Sequence, residues 1–162
     1  MLTDPADRQA VVDQTVRAAD GFDGVQLSLF GLAAPTSDAL VSFAGALRAA
    51  LPEDTTVSLT IIASTDFGGY RERGVDVEAL AGRVDRLVLQ TYEPGEVGRP
   101  PQPIDDPAGI EEEIEYLVTV VDADVVDLGV SPLAGIDAAE GLRLATDAGL
   151  HGLVVGRSTA RG

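Results

Sequence analysis

The sequence predicts an α/β protein made of parallel βα repeats, with about five strands. Three observations carry that prediction. Short apolar runs rich in Val, Leu and Ile recur along the chain, as strands buried on both faces require. Amphipathic stretches at helical spacing separate them, and this alternation is the pattern of a parallel sheet covered by helices. The chain has 162 residues, 45% of them hydrophobic, which is enough to bury one sizeable core, so a single domain over 1–162 is expected.

The first helix starts at Thr3-Asp4-Pro5: Asp4 caps, Pro5 fits the first helical position, and Asp7 suits the positive end. It runs to about Ala19 with Val12, Val16 and Ala19 on one face, and Gly21 releases the chain into a strand over Gly24–Leu29. There Val25, Leu27 and Leu29 face one way, and Gln26, Ser28 and Phe30 the other. After a Gly/Pro loop, Ser37 caps a helix in which Leu40, Phe43, Leu47 and Leu51 repeat at helical spacing before Pro52. The β-branched run Thr56–Ala63 reads as the second strand, Asp76–Val84 as a short helix, and Arg86–Tyr92 as the third strand.

A long loop follows, Glu93–Pro107, holding Pro94, Pro100, Pro101, Pro103 and Pro107; loops of this length inside compact domains usually carry function. Ile110–Val121 predicts a helix with Ile110, Ile114, Leu117 and Val121 inward. Val125–Val130 is the fourth strand, Asp137–Ala148 a helix, and Gly152–Val155 the fifth strand. Such an order fits an open doubly wound sheet or part of a (βα)₈ barrel. In both, function sits at the carboxyl ends of the strands.

Charge excludes several partners. The chain has 27 acids against 11 bases, all of them arginine, for a net charge of −16. A nucleic acid or an anionic membrane needs a basic footprint, so neither is expected. A lysine-free acidic surface is similar to that of salt-adapted proteins from halophiles, where charge keeps the protein solvated. With no cysteine and His151 as the only histidine, neither a metal site nor a His-based triad is expected, nor any cofactor. No apolar run reaches the roughly 20 residues of a membrane span. The N-terminal MLTDPADRQ is acidic and polar, unlike an export signal, so a cytoplasmic protein is expected.

Two stretches carry a resemblance. GFDGVQLSLF at 21–30 and VDRLVLQTYE at 84–93 resemble the fourth and sixth strands of family 18-type, chitinase-like glycoside hydrolases. FAGALRAALPEDTTVSLTIIA looks like the helix and fifth strand between them, and VVDLGVSPLAG and GLHGLVVG like strands seven and eight. The likeness covers roughly residues 8–157 and implies a partial, half TIM-type (βα)₈ barrel. Strands one to three have no counterpart, so two open edges are expected. A second copy, or a partner chain completing the barrel, would close them.

The fourth-strand pattern of that family, F-D-G-x-D-x-D-x-E, ends in the catalytic acid. Here Asp23 and Gly24 match its opening, but Gln26 and Ser28 stand at the two inner aspartates and Phe30 at the glutamate. Neither Ser28 nor Phe30 can act as a carboxylic acid near neutral pH. At the sixth strand Tyr92 matches, and Glu93 replaces an aspartate. The resemblance therefore implies a scaffold without its acids: a catalytically degenerate domain that binds carbohydrate or serves as a scaffold or partner subunit.

Two other readings stay open. Asp66, in the loop STDFGGY after the second strand, and Glu93 form the one carboxylate pair suited to acid/base work, which would make a hydrolase with relocated acids. Gln26, Ser28, Gln90 and Tyr92 would then line a polar substrate pocket, with Phe67 and Tyr70 able to stack on a sugar ring. Alternatively, GLHGLVVGRSTARG is similar to the phosphate-gripping turn of phosphate-binding (βα)₈ enzymes, with Gly156, Arg157 and Ser158 as the grip and Gly135 beside them. His151 is expected to be a surface or structural residue.

Overall fold

A computed structural model describes residues 2–29, 32–64, 69–93 and 102–156. Its helices are α1 (Pro5–Ala19), α2 (Ser37–Ala50), α3 (Val77–Ala81), α4 (Pro107–Val120) and α5 (Ala138–Asp147). Its strands are β1 (Gly24–Ser28), β2 (Thr56–Ile62), β3 (Arg86–Gln90), β4 (Tyr92–Glu93), β5 (Gln102–Pro103), β6 (Val126–Val130) and β7 (Gly152–Val155). Five parallel strands form one sheet in the order β1-β2-β3-β6-β7, with Leu89 level with Leu128 and Leu128 level with Leu153. That order follows the chain without reversal. It lacks the switch point of a doubly wound sheet and is the order of a barrel wall. No helix among the described residues is long and apolar enough to cross a membrane.

The residues group into two compact units that share β2. The first comprises Met1–Leu59 and Gly68–Arg86. Its first helix starts as expected, with the Asp4 carboxylate accepting from the N–H of Ala6 at 2.8 Å and of Asp7 at 3.0 Å. These bonds hold that carboxyl below its ordinary value. From α2, Leu40, Phe43 and Leu47 are buried, as are Val57 and Leu59 of β2. On β1, Val25 and Leu27 are half-buried while Gln26 and Ser28 are exposed, the alternation expected of a pleated strand. The Arg48 guanidinium lies 2.8 Å from the Asp85 carboxylate, which also accepts from the Val57 N–H at 2.7 Å.

The second unit comprises Thr60–Phe67 and Leu87–Gly162. Leu87, Leu89, Val126, Leu128 and Val130 of the strands, Ile110, Ile114 and Leu117 of α4, and Leu144 of α5 are all buried, the aliphatic core of this unit. Gly141 lets α5 come close: a Cβ there would stand 2.9 Å from Val130 Cγ1 and 3.0 Å from Leu153 Cδ1. His151 Nδ1 is 2.7 Å from Asp127 Oδ1 at the start of β7, a pairing between neighbouring strands.

Three expectations need correction. The third strand does not run to Tyr92. Both the N–H and the hydroxyl of Thr91 bond to the Gly129 carbonyl, at 2.9 and 3.0 Å, after which the chain leaves the sheet. Tyr92, with Glu93 of the expected long loop, then pairs antiparallel with Pro103 and Gln102. The helix expected from Ile110 starts earlier, at Pro107, because Asp106 caps the N–H groups of Ala108 and Gly109. The helix expected over Asp76–Val84 keeps only its centre, since Asp76 is the cap and Gly82 ends it.

Candidate functional site

In the second unit the carboxyl ends of β2, β3, β6 and β7 bring several polar groups together. Gln90 closes β3 with its side chain buried, 8% exposed, and its amide N–H₂ donates to the Tyr92 carbonyl at 2.8 Å. That bond fixes the turn into the β4–β5 ribbon, with Tyr92 half-buried and Glu93 exposed. The Tyr92 hydroxyl points at Gly156, where a Cβ would lie 2.1 Å from the phenolic oxygen. Burial pushes the Tyr92 phenol above its ordinary value, so the group stays a neutral hydrogen-bond donor. Glu93 is therefore the exposed carboxylate of the ribbon, with the neutral phenol next to it in sequence.

Behind this edge lies a carboxylate that the expected site did not include. Glu113 on α4 is 1% exposed, and its two oxygens accept from the Ser64 N–H at 2.8 and 2.7 Å. It anchors the backbone just past β2. The signal was present in the sequence, because Glu113 falls three residues after Ile110 and four before Leu117, in phase with the buried stripe.

The expected site residues divide as follows. Gln90, Tyr92, Glu93, Gly135 and Gly156 all belong to the second unit. Gly135 adopts φ +84 beside the Pro103 ring of the ribbon, and the Gly156 N–H donates to the Val130 carbonyl at 2.8 Å, so that donor is engaged in the sheet. Gln26 and Ser28 belong to the first unit, exposed on β1. Asp66, Arg157 and Ser158 lie outside the described residues, as do Phe30 and Phe67. Tyr70 is 4% exposed, with the Arg73 guanidinium 4.9 Å from its ring centroid. It is a core ring rather than a stacking platform. Among the described residues no three His, Asp or Glu side chains converge as a metal ion would need.

No protein-family model matches the sequence, and no curated protein matches it closely enough to be called a relative. Solved structures are similar in fold. The spore cortex-lytic enzyme SleL from Bacillus cereus superposes with a TM-score of 0.77 at 15% identity, over 98% of this chain and 52% of that one. A chitinase from Bacteroides thetaiotaomicron gives 0.71 at 11% identity, over 96% and 63%. A chitinase from Chromobacterium violaceum gives 0.65 at 20% identity, over 78% and 42%. The chain thus spans about half the length of the solved chains it matches. Its fold is that of part of a chitinase-like barrel, as the stretches at 21–30 and 84–93 implied.

Proposed function

We propose that this chain is a glycoside-hydrolase-like domain that no longer hydrolyses and binds carbohydrate at the Tyr92–Glu93 ribbon. One observation carries the reading. On β1 the exposed side chains are Gln26 and Ser28, at positions where the resembled motif has aspartates. In the resembled family the motif's carboxylic acid protonates the glycosidic oxygen, and the neighbouring aspartate steadies the substrate's own acetamido group as nucleophile. An amide and a hydroxyl supply hydrogen bonds for sugar hydroxyls but not that proton. The likeness in fold to chitinases and a spore cortex-lytic enzyme supports carbohydrate as the ligand class.

Two further parts belong to the proposal. The net charge of −16 is the solvation device of a salt-adapted protein. A second copy of the chain covers the sheet edges at β1 and β7, since open parallel edges invite pairing.

Thermal unfolding in molar potassium chloride tests the ligand class, with chito- and gluco-oligosaccharides in one panel and sugar phosphates in another. A ligand that binds only the native state adds about 2.7 kcal/mol at a hundred times its dissociation constant. The expected result is a higher midpoint with oligosaccharides, weakened by Glu93→Gln, and no released sugar. Turnover abolished by Glu93→Gln would replace this reading with a hydrolase using relocated acids. A shift with sugar phosphates alone would move function to the Gly156 turn, and silence in both panels would end the carbohydrate reading.

A further inference from the structure

In the first unit, the segments that lead from β1 into α2 and from β2 into α3 touch at Gly74. This glycine adopts φ +79, and a Cβ on it would stand 2.7 Å from the Thr36 hydroxyl and press on the Ala33 carbonyl. Only glycine suits that place. Ser37 follows Thr36, and Arg73 precedes Gly74, so a hydroxyl and a guanidinium flank the contact. Each carries a buried polar atom with no hydrogen-bond partner among the described residues, Ser37 Oγ and Arg73 Nη2.

The neighbours of both atoms are engaged elsewhere. The Thr36 hydroxyl donates to the Ala33 carbonyl at 2.7 Å and accepts from the Ala33 N–H at 3.2 Å. Ser37, 4% exposed, opens α2. Arg73 is half-buried, and its Nε–H reaches the Gly69 carbonyl at 3.4 Å. The Tyr70 ring, its centroid 4.9 Å from Arg73 Cζ, offers its face to the charge but no lone pair to the N–H groups. No carboxylate answers that charge. Asp76 pairs with Arg71 at 3.1 Å and accepts from the Ala79 N–H, while Glu72 and Asp38 are exposed. Among the described residues no ion pair includes Arg73.

A guanidinium cannot shed its proton, and a buried charge calls for an opposite one. The guanidinium nitrogen can only donate and the hydroxyl is able to, so their complement is an acceptor with negative charge. Arg73 Nη2 is shut off from solvent, which suits a single small ion and not the carboxylate or phosphate of a larger ligand. We infer that Arg73 and Ser37 hold a chloride ion beside the Gly74 contact. The net charge of −16 opposes anions at long range. Over a Debye length of about 3 Å in 1 M salt, however, the local donors decide. The site lies in the first unit, needs no part of the Tyr92–Glu93 ribbon, and stands whether or not carbohydrate binds there.

The test is thermal unfolding at constant potassium concentration, with chloride replacing methanesulfonate step by step. Screening is then the same throughout, and a bound ion shows as a midpoint that climbs with the logarithm of chloride concentration once the site fills. Arg73→Gln should remove the climb. Ser37→Ala should move its onset to about tenfold higher chloride, the loss of one hydrogen bond to a charged group. A second measurement needs no variant to fold: crystals of the wild-type protein grown with bromide in place of chloride. An anomalous-scattering peak touching Arg73 Nη2 and Ser37 Oγ is expected. A midpoint indifferent to the exchange, a climb that Arg73→Gln leaves intact, an onset that Ser37→Ala does not move, or no bromide at these two atoms would each overturn the inference.

Discussion

Gly156 has no room for a side chain, because the Tyr92 hydroxyl occupies the place a Cβ would take, 2.1 Å away. Gly156→Ala should cost about 1–3 kcal/mol by overpacking. The offending atom is a single oxygen, so Tyr92→Phe in the same chain should recover a large part of that loss. Chemical denaturation of the two single variants and the double variant checks this, and additive losses would show that the phenol is not the obstacle. The residue scale is also where the sequence was least legible. Tyr92 and Glu93 could be picked out by their motif, but the contact of Tyr92 with Gly156 joins positions 64 residues apart (156 − 92). Spacing along a strand says nothing about such a meeting. Glu113 is the opposite case. A charge in phase with Ile110, Ile114 and Leu117 could have been read as buried, and only its partner, the Ser64 N–H, required the fold.

At the scale of elements, two glycines in helices have opposite meanings. On α2, a Cβ at Gly45 would meet Arg83 Cδ at 3.5 Å, an ordinary contact. Gly45→Ala should therefore stabilise by about 0.5–1 kcal/mol through helix propensity. On α5, a Cβ at Gly141 would press into Val130 and Leu153 at 2.9 and 3.0 Å. Gly141→Ala should destabilise by about 1–3 kcal/mol. Urea midpoints that move in the same direction for both would refute the packing argument. The elements themselves were largely legible. Asp4-Pro5 announced α1 through capping chemistry, and Asp106-Pro107 announces α4 in the same way, although the surrounding prolines favoured reading it as loop. The ribbon of β4 and β5 was hidden because two-residue strands have no periodicity to detect.

For the whole molecule, the apolar runs foretold parallel strands, but only the strand order separates a barrel wall from a doubly wound sheet. Periodicity describes each strand's faces and not its neighbours. The net charge of −16 belongs to this scale too. Self-repulsion among unpaired acids is screened by salt, over a Debye length of about 10 Å at 0.1 M and 3 Å at 1 M. Raising potassium chloride through this range should raise the unfolding midpoint. A midpoint that is flat or falls with salt would remove the salt-adapted reading. Sedimentation in the same series should show a dimer, and a monomer at every concentration would remove the second copy.

The link from Arg48 through Asp85 to the Val57 N–H has one more consequence. A carboxylate, not a backbone carbonyl, takes that first donor of the buried part of β2. A ladder of backbone bonds looks alike after a slide of two residues, whereas this rung exists in one alignment only. Sliding would leave Asp85 and Arg48 each facing the wrong group. The trio thus works as a key against mispairing while the chain folds, and it acts by making the wrong alignments costly.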